Sequence, residues 1–150
     1  MKIVLALISP RRGGPSGPSA ELLQLYIDRS ARYTPCEQRV FPTETKLLSF
    51  LEESAARTRP YFVLADSTGR QLSSEDIAAT FTRALDAGTQ LLVLGIGPAD
   101  GWSPAALARA DTTLSFGRIT LPHELAAVVA AEQIYRALTI RAGHPYHGGH

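Results

Sequence analysis

The stretch His144-Pro145-Tyr146-His147-Gly148-Gly149-His150 puts three imidazoles and a phenol within seven residues. Imidazole changes its protonation near neutral pH, so such a cluster suits proton transfer or hydrogen bonding to a polar ligand. His144, Tyr146 and His147 are either polar decoration or a working part held against the rest of the molecule. The remaining histidine, His123, and the single cysteine, Cys36, complete no Cys/His quartet spaced for zinc, so no metal site is expected. One cysteine excludes an internal disulfide and fits a reducing compartment; Cys36 reads as a structural thiol. No GxSxG elbow supports a serine hydrolase, and no GxxxxGK[ST] supports a nucleotide-triphosphate loop.

A second kind of chemistry is ligand binding by loops. "LADSTGR", "GIGPADGW" and "SFGRITLPH" each follow an apolar run, and Gly95, Gly97, Gly101 and Gly117 let backbone amides approach a ligand closely. Open α/β sheets bind ligands beyond the carboxyl ends of their strands, which is where these loops would lie. Plain turns explain the glycines as well, and "GIGPADG" does not continue as GxGxxG opening a helix. Trp102, beside Gly101, would wall a pocket or cap the core.

The elements that must position these groups are legible from periodicity. "KIVLAL", "EQRVF", "YFVLAD", "QLLVLGI" and "TTLSF" read as strands. Between them, helical spacing predicts a helix over Ala20–Tyr33 capped by Ser19, a second in "PTETKLLSFLEESAAR", a third in "EDIAATFTRALDA" capped by Ser73 or Ser74, and a short one in "SPAALAR". Pro122 opens a last helix reaching about Ile140. Five β-α units predict a mostly parallel sheet flanked by helices in one domain, 1–150. In the last helix, "AAVVAAEQIYRAL" lines small residues along one side, as a core element or an oligomer seam would. Glu132 and Arg136, four apart, read as a surface pair.

The chain is 150 residues, 45% hydrophobic and 19% charged, with a net charge of +1, ordinary for one globular domain. The nine Lys/Arg and six Asp/Glu of residues 1–60 make that part +3; residues 61–150, with six and eight, carry −2. Polyanion contact is therefore expected on the first part, with "RRGG", Arg29 and Arg32 as its basic residues. The apolar run Ile3–Ile8 is short for a signal peptide and is followed by two arginines. "LAAVVAA" is too short to cross a membrane, so a cytoplasmic location is expected.

"ITLPHELAAVVAAEQIYRALTIRAGHPYH", with "LPH", "EQIYRA" and "HPYH" in this order and spacing, resembles the carboxyl end of the RlmH-type family of SPOUT methyltransferases. "VLADSTGR" and "IGPADGWSP" extend the likeness over essentially the whole chain. That family methylates the N-3 nitrogen of a pseudouridine in 23S, large-subunit ribosomal RNA. The resemblance implies a SPOUT α/β fold with a carboxyl-terminal trefoil knot, S-adenosylmethionine as cofactor, a homodimer, and the ribosome or its RNA as substrate, with neither DNA nor membrane as partner. Carried over by position, it implies a cofactor site built from Ala65, from Gly97 and Gly101, and from Phe116, Gly117, Arg118, Ile119, Thr120 and Leu121. It further implies that His144, Tyr146 and His147 meet the target base, with His147 taking the imino proton and Tyr146 positioning the base. His123 is expected to cap the last helix. The chain has Pro98 where the family usually has a second glycine, a short base-poor stretch "VFPTETK", and no lysine or arginine after "HPYH". A SPOUT enzyme with another RNA target and a non-catalytic cofactor- or ribosome-binding protein remain the alternative readings.

Overall fold

The computed structural model describes residues 1–10 and 14–148; the basic pair Arg11–Arg12 and the terminal His150 lie outside them. Strands and helices alternate in the order β1 (Lys2–Ile8), α1 (Gly17–Ser30), β2 (Cys36–Phe41), α2 (Glu44–Glu53), β3 (Tyr61–Gln71), α3 (Ser74–Asp86), β4 (Leu91–Ile96), α4 (Pro104–Arg109), β5 (Thr112–Ser115) and α5 (His123–Ala142). The sheet order is β2-β1-β4-β3-β5, with all pairings parallel.

The uninterrupted apolar run of β1 is explained by its place inside the sheet, with helices over both faces. Ile3, Leu5 and Leu7 meet α1, α3 and α5 through Leu23, Ile27, Phe81 and Ile134. The alternate residues Val4, Ala6 and Ile8 meet α2 and α4 through Leu47, Leu51 and Ala106. One change of register by a single residue would exchange the two sets, so the pattern pins the strand.

α5 returns from the edge strand β5 to pack against α1 and α3 and over β1 and β4. It buries Ala127, Ala130, Ala131, Ile134, Ala137 and Leu138 at helical spacing. Alanines there let the helix approach its neighbours closely. Removing the Ile134 side chain to alanine would leave a cavity costing about 2–5 kcal/mol.

Three boundaries differ from the expectation. α1 starts at Gly17, not after Ser19, because Pro18 is already set for a first helical turn; Ser16 holds the N-cap place without a side-chain bond, and the helix stops at Ser30. Ser73, not Ser74, caps α3, in a box where its hydroxyl accepts from the Asp76 amide and Asp76 accepts from the Ser73 amide. β3 does not end at Asp66. It runs on to Gln71 with a bulge-like irregularity over 66–69, so that Ala65 and Arg70 both pair with Leu114 of β5. A strand that leaves and re-enters its own ladder carries no single-residue alternation signal there. Among the described residues no helix is long and apolar enough to cross a membrane.

Candidate functional site

The carboxyl ends of β3, β4 and β5 open onto one cavity of about 530 Å³. Ala65, Gly97, Gly101, Phe116, Gly117, Arg118, Ile119, Thr120 and Leu121 all line it. Three chain segments separated by tens of residues thus meet because parallel strands deliver all their carboxyl ends to the same edge. Asp66, Ser67, Trp102, His123 and Ala126 also line it, the first two within the "LADSTGR" stretch singled out above.

Trp102 organises the wall. Its indole Nε1 donates to the Ala65 carbonyl at 2.8 Å, tying the end of β3 to the loop after β4. Its ring also stands edge-on to Phe62, with centroids 6.1 Å apart. The ring lies directly on Gly97: a Cβ there would come within 2.6 Å of the indole. Gly97 is therefore required by the tryptophan as well as by any ligand. The same loop turns through a Gly101 amide donating to the Pro98 carbonyl at 3.0 Å, with Gly101 at φ +89°. It is anchored to α2, where Glu44 accepts from the Ser103 amide at 2.8 Å and from its hydroxyl.

The third loop is held at its root. The buried Ser115 hydroxyl donates to the Gly117 carbonyl at 2.9 Å and accepts from the Gly117 amide at 3.2 Å. From there Ile119 projects with 73% of its surface exposed, the most exposed of the large apolar side chains described. The loop leads into α5, whose N-cap is Pro122 with no side-chain cap. His123 does not cap the helix as expected. It occupies the first turn, and its Nε2 is buried without a protein partner at the cavity wall. Asp66 turns its carboxylate onto the amide and hydroxyl of Thr68, shaping the loop that leaves β3.

His144, Tyr146 and His147 do not line this cavity. After Gly143 closes α5 at φ +70°, the chain folds back on the helix. His144 Nδ1 accepts from the Tyr146 amide at 3.1 Å and tightens the turn. Tyr146 donates its hydroxyl to Glu132 at 3.0 Å, stands edge-on to Tyr135 at 4.7 Å, and lies under the Arg136 guanidinium at 4.8 Å. Burial, with the hydrogen bonds it makes to Tyr26 and Glu132, pushes the Tyr146 phenol well above the usual tyrosine range, so it stays a neutral donor. Glu132 and Arg136 are joined by two bonds of 2.9 and 2.6 Å and are mostly buried. The surface pair expected from their spacing is thus the platform on which the tail docks. His147 bridges two elements: Nδ1 lies 3.0 Å from Arg136 Nη1, and Nε2 lies 2.8 Å from Glu75 in the first turn of α3.

Elsewhere the side chains offer less chemistry. The Cys36 thiol is pushed up to about 12 by burial and then by Glu37, which leaves it poorly nucleophilic at neutral pH. Among the described residues no three His, Cys, Asp or Glu side chains are placed to hold a metal ion.

A family model described as "Predicted SPOUT methyltransferase" matches residues 1–147. The ribosomal RNA large subunit methyltransferase H of Koribacter versatilis (strain Ellin345) is 46% identical to this chain over 125 residues, which cover 83% of this chain and 85% of that one. The protein of the same name from Mesorhizobium japonicum is 38% identical over 146 residues, covering 88% and 91%. Among solved structures, the SpoU methyltransferase AviRb from Streptomyces viridochromogenes, crystallised with AdoMet, has a similar fold, with a TM-score of 0.53 at 18% identity. That similarity covers 95% of this chain and 58% of AviRb, so the chain spans a little over half of the solved one. Loops, helix α5 and tail all fall within the matched residues, and the chain belongs to the SPOUT methyltransferase family.

Proposed function

We propose that this protein transfers a methyl group from S-adenosylmethionine to the N-3 nitrogen of a pseudouridine in large-subunit ribosomal RNA, on the assembled ribosome and as a homodimer. The observation that carries the reading is the convergence of three strand-end loops on one cavity, in a chain whose relatives are named as large-subunit ribosomal RNA methyltransferases. The cavity lies within the roughly 300–1,000 Å³ typical of small-molecule sites. Its wall fits a polar, zwitterionic cofactor. The backbone at Gly101 and Gly117 is open, the amino end of α5 is uncapped, and His123 Nε2 is a buried polar atom awaiting a partner.

When bound, the cofactor supplies a methyl group on a sulfonium, which leaves as a neutral thioether. The chain's own residues then have to bind, orient and exclude water. Trp102 and the 116–121 loop enclose the cofactor, and Arg118 offers a guanidinium at the rim for its carboxylate or for an RNA phosphate. His144, Tyr146 and His147 meet the target base. Arg136 lies ten residues past Ala126 on α5, about 15 Å along the axis, so the docked tail stands away from its own chain's cavity. That separation is the support for the homodimer, in which a second copy brings a tail to each cavity. The trefoil thread is proposed on the return of α5 from edge strand β5 to the middle of the sheet.

The test is transfer of labelled methyl to intact bacterial ribosomes lacking the modification, with the product mapped by mass spectrometry. Methylation at one pseudouridine of the large subunit supports the reading. No transfer by a folded protein that binds cofactor would mean another substrate or none.

A further inference from the structure

His147 is held by two partners of opposite kind. The Arg136 guanidinium carries only N–H donors and no acceptor, so the imidazole nitrogen facing it, Nδ1, must present its lone pair. The ring proton then sits on Nε2 and is donated to the Glu75 carboxylate. An imidazole that takes a proton at Nε2 has to carry its other proton on Nδ1, where it would point at the guanidinium. The groups facing the ring are Glu75 on α3, Arg136 with its partner Glu132 on α5, and Tyr146 within the tail. Glu132 holds Arg136 charged and above its ordinary value, so the donor is permanent.

The two partners also differ in how firmly they are held. The Arg136 side chain is 16% exposed and clamped by Glu132, whereas the Glu75 side chain is 63% exposed and reachable from solvent. An incoming acceptor can displace Glu75 from Nε2 without disturbing the bond at Nδ1.

We infer that Arg136 is a positioning residue that locks His147 as the Nε2–H tautomer, so that His147 serves the target base as a hydrogen-bond donor and not as the acceptor of its proton. This rests on the methyl-transfer reading above. The imino proton goes to water, and the negative charge left on the imide is shared with its flanking carbonyl oxygen, to which Nε2–H donates. Tyr146, whose hydroxyl donates to Glu132, stays a neutral phenol and likewise takes no proton from the base. The sequence-based expectation that His147 takes the proton gives way to this assignment.

The test uses the full chain and has a readout independent of transfer. Long-range nitrogen–proton correlation spectra of the wild-type protein at neutral pH are expected to show His147 with a bare Nδ1 and a protonated Nε2. A proton on Nδ1 would overturn the inference. In transfer assays, His147→Gln retains a side-chain N–H donor but no base. It is expected to lose less than about tenfold in kcat/KM and to keep the shape of the wild-type pH profile, while His147→Ala loses about a hundredfold, the lower range for removing one donor to a developing negative charge. Gln falling to the level of Ala, with the pH profile changed, would overturn it. Arg136→Gln, which keeps a donor, is expected to fall less than Arg136→Glu, which offers Nδ1 an acceptor and favours the other tautomer; the reverse order would also overturn it. A wild type that transfers no methyl refutes the function itself, and the spectra still decide the tautomer.

Discussion

Trp102 lies so closely on Gly97 that position 97 has no room for a side chain: the nearest indole atom would lie 2.6 Å from a Cβ added there. The contact puts an aromatic wall on the candidate cofactor cavity and binds the β4 loop to the Ala65 carbonyl.

Gly97→Ala should therefore displace the indole. The expected cost is about 1–3 kcal/mol of stability from overpacking, with cofactor affinity falling more than stability alone explains. Trp102→Phe removes the N–H and should cost about 1 kcal/mol. Denaturant titration reads the first quantity. Trp102 is the only tryptophan in the chain, so quenching of its fluorescence on adding S-adenosylmethionine reads the cofactor affinity of the wild type and of Gly97→Ala. Fluorescence unmoved by cofactor would contradict its place on the wall.

Gly117 sits at φ +113° with open space around its missing side chain. Gly117→Ala meets no atom but must hold a backbone conformation that side chains disfavour, an expected cost of about 1–3 kcal/mol. The strain should be relieved by movement of the 116–121 loop. Cofactor Kd is then expected to rise about tenfold or more, at 1.4 kcal/mol per tenfold. Unchanged binding by calorimetry would remove that loop from the site.

The Glu75 carboxyl is held below its usual range, first by the hydrogen bond from His147. A depressed folded value means the contact contributes fully above the ordinary glutamate range and is lost as pH falls through the lowered value. Tail amides should therefore lose hydrogen-exchange protection only in that acid range. Glu75→Gln should abolish this step and leave α5 protected. A tail equally protected on both sides of the transition would show that Glu75 does not hold it.

If each cavity is served by the tail of a second copy, the protein must be a dimer at working concentration. Light scattering at micromolar concentration is expected to give twice the chain mass. Mixing a His147→Ala chain with a chain impaired in the cavity, such as Gly97→Ala, should restore part of the transfer in the mixed dimer. A monomer, or no restoration after subunit exchange, would place the tail and cavity of one chain together.

Much was legible in local pattern. The five β-α units follow from apolar runs and helical spacing, since each is decided within a window of about ten residues. The three strand-end loops followed once the sheet was known to be parallel, and the tail's identity came from "LPH", "EQIYRA" and "HPYH". The sheet order β2-β1-β4-β3-β5 was not legible, because parallel pairing joins residues far apart and leaves no local periodicity. Nor was the register shift between Ala65 and Arg70, which both pair with Leu114 far along the chain. Spacing alone made Glu132–Arg136 a surface pair, since an i,i+4 interval says nothing of what lies over it. Only the folded chain brings Tyr146 onto Glu132, and His147 between Arg136 and a Glu75 seventy-two residues earlier. The sequence by itself determined which chemical groups are present and which elements carry them. Tertiary structure decided what each nitrogen of His147 faces, Arg136 on one side and Glu75 on the other, because those partners are supplied only by long-range packing.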